Sequence, residues 1–240
     1  MLEPAVFRLP KAGSTRAEYE DAIAWSRKRR RFAVADGASA SAFARLWARL
    51  LVQAYVGGQL HACSIEHDLA PVQRRWSDLV ARKDLPWYAA EQARRGAFAA
   101  LVGLTLYENR TWTSLAVGDS CLFQIRNATL IHALPLTEPE AFDNNPLLLG
   151  SRPTANSQLR EAGAIVTGDG AWQPGDTFLL VSDTLAASFL RQWRDAECSL
   201  PFERTAVGFR SWVRSMRAER LMRNDDVSLV WLAMSANAAA

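Results

Sequence analysis

Apolar positions along this chain follow two rhythms. Alternation or a short unbroken apolar run predicts strands at residues 5–9, 20–27, 31–36, 98–107, 111–117, 122–126, 129–133, 164–167, 178–182 and 227–233. Between the third and fourth of these, apolar residues recur at 43, 46, 47, 50, 51 and 54, one face of a helix over 41–56 that Gly57-Gly58 would stop. A second helix reads over 64–82 with Leu69, Val72, Trp76, Leu79 and Val80 on one side. Pro71 fits best in a first turn, which allows a start as late as Ala70. Shorter helical patterns cover 88–95, 184–196 and 202–220. Residues 136–157 are rich in Pro and Asn and read as a loop, a candidate flap over a site. Gly168-Asp169-Gly170 and residues 173–176 read as turns.

Helices grouped after the third strand and before the last, with long hairpin runs between, argue for α+β layers rather than a doubly wound parallel sheet. No period of 20–50 residues repeats and no linker divides the chain, so residues 1–240 read as one domain.

Composition changes this picture little. A hydrophobic fraction of 49% with 22% charged residues is that of a globular protein with a substantial core. Nine Trp are many for 240 residues, and Trp47, Trp76, Trp112 and Trp231 sit at core positions of the pattern. A net charge of +3 suits a phosphate-bearing substrate but is too weak to argue for nucleic acid, so none is expected. The run Arg27–Arg31 reads as a solvated hairpin turn. Three scattered Cys without a C-x-x-C pair fit reduced thiols. No signal-peptide pattern opens the chain, and the most apolar stretch, 97–107, is too short for a bilayer. A cytoplasmic, non-membrane protein is expected, monomeric by default.

The chemistry lies in acidic residues at strand ends. Glu20-Asp21, Asp36-Gly37, Asp183 and Asp225-Asp226 each flank an apolar run. Carboxylates crowning buried strands need a cation or a positive partner. Oxygen ligands without His or Cys favour a hard ion such as Mg²⁺ or Mn²⁺. Competing signals are weaker. His61-x-Cys63-x-x-x-His67 lacks a fourth zinc-like ligand and reads as the approach to a helix. Ser39, Ser120 and Ser182 lie in no G-x-S-x-G setting, which argues against acyl transfer.

Five segments, in order, resemble the metal-dependent PP2C-type (PPM) serine/threonine protein phosphatases, most nearly their compact bacterial members. Arg16-Ala-Glu-Tyr-Glu-Asp21 is similar to the opening Arg-x-x-x-Glu-Asp, and Phe32-Ala-Val-Ala-Asp-Gly37 to the strand ending in Asp-Gly. Ala116-Val-Gly-Asp-Ser120 resembles the central Gly-Asp-Ser turn. Phe178-Leu-Leu-Val-Ser-Asp183 resembles the Leu-Leu-x-Ser-Asp strand, and Asn224-Asp-Asp-Val-Ser228 the closing Asp-Asn-x-Ser/Thr, with Asp226 where Asn is usual.

The resemblance implies a four-layer α/β/β/α sandwich with two central antiparallel sheets and two Mn²⁺ or Mg²⁺ ions at one end. By the same resemblance Asp36 bridges the ions, the Gly37 carbonyl joins one, and Asp183 and Asp225 complete the other. Glu20 and Asp21 act directly or through water, and Arg16 binds the phosphate. The implied activity is hydrolysis of phosphoserine or phosphothreonine in a phosphorylated protein, opposing a serine/threonine kinase. The alternative is a pseudophosphatase that binds signalling partners without turnover. Three departures from the pattern stand out. Ala38 replaces a His, Thr184 replaces a Gly, and Ala93-Arg94-Arg95 stands where an acid for a third ion is expected.

Overall fold

The computed structural model describes residues 3–142, 146–161, 163–194 and 196–235. Strands β1 (Ala5–Leu9), β2 (Ala22–Ser26) and β3 (Arg31–Gly37) lead into helices α1 (Ala44–Val56), α2 (Ile65–Ala81) and α3 (Trp87–Arg95). There follow β4 (Phe98–Leu106), β5 (Thr111–Val117), β6 (Cys121–Arg126), β7 (Thr129–Leu134), β8 (Leu149–Gly150), β9 (Val166–Ala171) and β10 (Thr177–Val181). Helices α4 (Asp183–Trp193) and α5 (Ala206–Ala218) precede β11 (Val227–Ala233). One sheet runs β1-β11-β10-β6-β7 and the other β2-β3-β4-β5-β9, with β8 added beside the start of β4. Every pairing is antiparallel.

Strand alternation builds the layers directly. Phe32, Val34, Val102, Leu104 and Trp112 point from one sheet toward Leu122, Phe178, Leu180, Val230 and Leu232 of the other, forming the core between the sheets. The opposite faces carry the helices. Ala33, Ala35, Ala99 and Leu101 meet Trp47, Leu51 and Tyr55 of α1 and Trp76 of α2. Phe123, Leu179, Val181 and Leu229 meet Phe189 of α4 and Phe209 and Val213 of α5. The result is the helix, sheet, sheet, helix order that the resemblance implies.

Small residues on the first sheet let α1 lie close. At Gly103 a Cβ would fall 2.3 Å from the Tyr55 ring, so only glycine fits beneath it. The Tyr55 hydroxyl then reaches Thr105 Oγ1 at 3.0 Å.

Three expectations need correction. Gly168 and Gly170 are strand residues of β9, not a turn. Their missing side chains make room for Leu134 and Trp112, since a Cβ at Gly168 would meet Leu134 at 2.7 Å and one at Gly170 would meet Trp112 at 3.1 Å. The α2 helix spans Ile65–Ala81, close to the range 64–82 that the pattern gives; only the later start at Ala70 is not found, and Pro71 lies inside the helix. Asp68 anchors that start, accepting from the His61 backbone N–H at 3.0 Å and the Ser64 hydroxyl at 2.8 Å.

The loop expected over 136–157 lies outside the described residues at 143–145, and the rest of it is stitched down rather than free. Leu149 and Gly150 pair with β4, and their carbonyls accept from Trp47 Nε1 at 2.8 Å and Gln73 Nε2 at 3.0 Å. Of the helix expected over 184–196, Asp195 lies outside the described residues, and α4 ends at Trp193. No helix among the described residues is long and apolar enough to cross a membrane.

At the end of the sandwich where β10 begins, Asp176 is 1% exposed and its carboxylate is fully answered. It accepts from Gln124 Nε2 at 2.8 Å, Gln173 N–H at 3.0 Å, and both Nε and Nη2 of Arg126 at 2.8 Å. Burial pushes its pKa up, but Arg126 and its other donors outweigh burial and hold it below the usual carboxylate range. A depressed pKa in the folded state adds stability that is present above roughly pH 4, the unfolded value, and is lost as pH falls through the folded one.

Replacing Asp176 by Asn should cost about 3 kcal/mol at pH 7 in urea unfolding, with the deficit shrinking toward pH 3. Gly103→Ala should cost about 2–3 kcal/mol in the same assay, because the Tyr55 ring must move. A Gly103→Ala protein as stable as the parent would contradict the close packing of α1.

Candidate functional site

Antiparallel pairing sets the site. The ends of β3, β5 and β10 and the starts of β2, β6 and β11 all fall at one end of the sandwich. The register shows it: Ala22 pairs with Ala35, Leu101 with Val117, Val181 with Cys121 and Leu229, and Leu9 with Val227. Asp21 enters just before β2, and Asp36 and Gly37 end β3. Asp119 lies in the β5–β6 turn, Asp183 follows β10, and Asp225 and Asp226 precede β11. Residues separated by two hundred positions thus share one rim.

The charges register each other. Burial raises the pKa of Asp36 well above the ordinary value, and Asp21, Asp183, Asp119 and Asp225 push it further up, in that order. Burial likewise pushes Asp21 up to about 8; contact with Ser228 and Asp36 opposes the rise, while Asp226 and Asp183 add to it. Asp183 is raised by burial and by Asp225, against the lowering effect of the Thr184 backbone N–H. This last group opens α4, where the helix N-terminus favours negative charge. Thr184, which takes the place of a Gly, donates its N–H to Asp183 Oδ1 and leaves its own buried hydroxyl without a partner.

In their chemistry these residues suit a divalent cation. Both carboxylate oxygens of Asp21 are buried and make no well-formed hydrogen bond, a costly state that a cation or its water would relieve. Gly37 admits no side chain, because a Cβ would sit 2.8 Å from the Glu20 carbonyl and 3.1 Å from Ala44, so glycine lets the end of β3, the Glu20 backbone and the start of α1 pack closely at the rim. The donor set is oxygen only, as a hard ion requires. Among the described residues, no group of three or more His, Cys, Asp or Glu side chains is placed, as the side chains stand, to hold a metal ion. The chemistry of the set fits, and closure on an ion would need side-chain adjustment.

The other sequence-picked residues are placed differently. Glu20 turns toward the Ser39 hydroxyl and toward Lys11 Nζ, 3.6 Å away. Arg16 is exposed and lines a groove with Arg8, Arg45 and Arg210 rather than the carboxylate cluster. Asp226, the departure from Asn, has a clear structural use. Its two oxygens accept from the backbone N–H groups of Lys11 at 2.8 Å and Glu20 at 2.6 Å. An Asn would turn one donor against a donor there. Asp226 therefore ties the segment carrying Lys11 and Glu20 to the start of β11.

Sequence reasoning gave Asp119 no role. Ala93-Arg94-Arg95 before Gly96 includes no acid and Glu91 pairs with Arg94, while the further carboxylate that acts on Asp36 comes from this turn. Its signal was present: an acid in a Gly-Asp-Ser turn between two apolar strands, the setting shared by the acids that were chosen. His61 and His67 stay apart from the cluster; His61 pairs with Asp68 at the start of α2.

Comparisons with known proteins bear on this arrangement. The sequence profile of the family described as Protein phosphatase 2C matches residues 14–228. None of the curated protein sequences matches the chain. Among solved structures, the catalytic domain of the serine/threonine protein phosphatase PstP in complex with two manganese ions is similar at 16% identity. The similarity covers 98% of each chain, with a TM-score of 0.60. The PPM Ser-Thr phosphatase MsPP from Mycobacterium smegmatis, in complex with cacodylate, is 15% identical over 97% of this chain and 98% of its own, with a TM-score of 0.57. RsbX in complex with magnesium is 15% identical over 98% and 100%, with a TM-score of 0.52. At these identities the likeness is one of fold, whereas the profile match spans most of the sequence. This chain belongs to the protein phosphatase 2C family.

Proposed function

We infer that this protein is a metal-dependent phosphoprotein phosphatase acting on phosphoserine or phosphothreonine, and that its substrates are set by an opposing serine/threonine kinase. One observation carries the reading. In a chain of this family, Asp21, Asp36, Asp119, Asp183 and Asp225 act on one another at one rim, and the oxygens of Asp21 are buried without a partner. Solved relatives of this fold hold manganese or magnesium.

In this reading Asp36, the Gly37 carbonyl, Asp183 and Asp225 would hold two ions, Mn²⁺ or Mg²⁺, with Glu20 and Asp21 contributing directly or through water. Bound there, such ions lower the pKa of water and neutralise charge on phosphoryl oxygens. The chain's own residues do the positioning. Arg16 offers a planar fork for the phosphate. Ser182 Oγ, held by the Ser228 backbone N–H at 3.0 Å, fixes the strand end beside Asp183. With Ala38 at the place of a His, the leaving alkoxide takes its proton from water.

A second reading, a pseudophosphatase that binds partners without turnover, draws on two placements: Glu20 is engaged by Lys11 and Ser39, and Arg16 faces an outer groove. Hydrolysis of p-nitrophenyl phosphate in Mn²⁺ separates the two. Asp36→Asn and Asp183→Asn should each lower turnover at least about 100-fold while circular dichroism stays native. Wild-type turnover in both variants would rule out the metal assignment, and an inactive parent protein would favour the second reading.

Stability gives a check that needs no activity. In EDTA at pH 7, Asp36→Asn removes a buried carboxyl whose ionisation the crowded set opposes and should raise the melting temperature by about 2–6 °C. Mn²⁺ should raise the melting temperature of the parent and leave that of the variant nearly unmoved. A variant that melts below the parent in EDTA would show that the carboxylates do not strain one another.

A further inference from the structure

Beside the carboxylate rim lies a groove lined by arginine. Two adjoining cavities of about 430 and 780 Å³ share Arg8, Pro10, Arg16 and Arg210. Arg45 adds to the first, and Arg214 and Arg217 to the second. No Asp or Glu lines either cavity. Among the described residues none of these six arginines forms an ion pair with a carboxylate. Where they are held at all, neutral carbonyls hold them: Arg8 donates to Ile23, Arg45 to Arg16 and Ala17, Arg210 to Ala206, and Arg217 to Pro10 and Asp225. Arg217 also feels the charges of Asp225 and Asp226; the charge of the other five is left for something outside the fold.

The arrangement is built rather than scattered. Arg210, Arg214 and Arg217 are spaced i, i+4, i+7 on α5, one face of that helix. Phe7, Phe209 and Val6 give the groove an apolar floor between the guanidinium groups. The groove also runs to the rim. Its wall includes Lys11 and Asn224, and Asn224 pins the same loop by accepting from the Ala12 N–H at 2.7 Å. Lys11 in turn reaches Ser39 and Glu20 beside the carboxylates. A chain seated on the arginines would thus lie beside Lys11, which adjoins the carboxylate end.

We propose that this groove docks an acidic segment of the phosphoprotein, Asp/Glu-rich and flanking the phosphorylated residue, so that substrates with such flanks are preferred. The proposal names the substrate class of the site and rests on the phosphatase reading. A peptide suits the groove better than nucleic acid, because the aromatic rings in it, Phe7, Tyr19 and Phe209, are buried and offer no stacking platform. Guanidinium forks take carboxylates in pairs, and a row of them on one helix face matches carboxylates spaced along an extended chain.

The test compares two phosphoserine peptides of equal length on the full chain with Mn²⁺, one with a Glu/Asp-rich flank and one with a Ser/Gly flank. The parent should favour the acidic peptide by about tenfold or more in kcat/KM at low salt, and the preference should shrink as salt rises. The double variant Arg210→Glu/Arg214→Glu should lose that preference, mainly through KM. Its hydrolysis of p-nitrophenyl phosphate, too small to extend from Arg16 to Arg210 and Arg214, should stay within about twofold, which also reports that the variant is folded. Equal treatment of the two peptides by the parent, or a preference kept by the double variant, overturns the proposal. If the parent hydrolyses nothing, the phosphatase reading fails separately. Fluorescence anisotropy with an unphosphorylated acidic peptide then decides the groove: binding lost in the double variant supports it, and absent or unchanged binding refutes it. Tighter binding of duplex DNA than of the acidic peptide also refutes it.

Discussion

Like charges taken out of water at one place are the constraint on which this protein turns. Five aspartates from five separate stretches of chain meet at one end of a β-sandwich, and burial with mutual repulsion raises the pKa of Asp36, Asp21 and Asp183. Hydrophobic packing elsewhere must hold that end together. A fold optimised for stability alone would place apolar or paired residues there. Such an arrangement makes physical sense when something positive completes it, and perturbed carboxylates gathered in this way mark functional sites more often than structural ones.

The scaffold is suited to bearing that load. Alternating strands fill the space between the sheets with Phe32, Trp112, Phe178 and their neighbours, and put alanine under α1. The polar contacts at the two ends of the sandwich differ in kind. At one end Asp176 has each oxygen answered by Arg126, Gln124 or a backbone N–H. At the other, Asp226 uses its two oxygens to hold the Lys11–Glu20 segment in place, while Asp21 beside it makes no well-formed hydrogen bond. One aspartate serves structure, the next is kept available, and the difference lies only in which donors the fold supplies.

Much of this was legible in the sequence, for particular reasons. The runs Phe32–Ala35 and Phe178–Val181 are short, apolar and closed by an acid, so both strand and candidate ligand are visible together. The layer order followed from the resemblance carried by five short motifs and is the order found. The misses are equally specific. Gly168 and Gly170 look like a turn because the reason for them, the Trp112 ring packed on their strand, is distant in sequence. Leu149-Gly150 is too short to show a strand period, yet β4 and the side chains of Trp47 and Gln73 pin it. Asp119 carries a weaker signal, because a single acid in a turn has an easy local explanation. The arginine face of α5 repeats at helical spacing and was open to reading; its partners Arg8, Arg16 and Arg45 come from other elements, and only the fold gathers them.

The central claim is that the rim carboxylates exist to hold divalent ions. Anomalous diffraction at the manganese absorption edge, from crystals of the protein grown with Mn²⁺, tests it most directly. The account predicts two peaks flanking the Asp36 carboxylate, each within about 2.0–2.4 Å of protein oxygens, with Asp183 and Asp225 turned onto one of them. Clear density for these side chains with no anomalous peak beside Asp36 would contradict it.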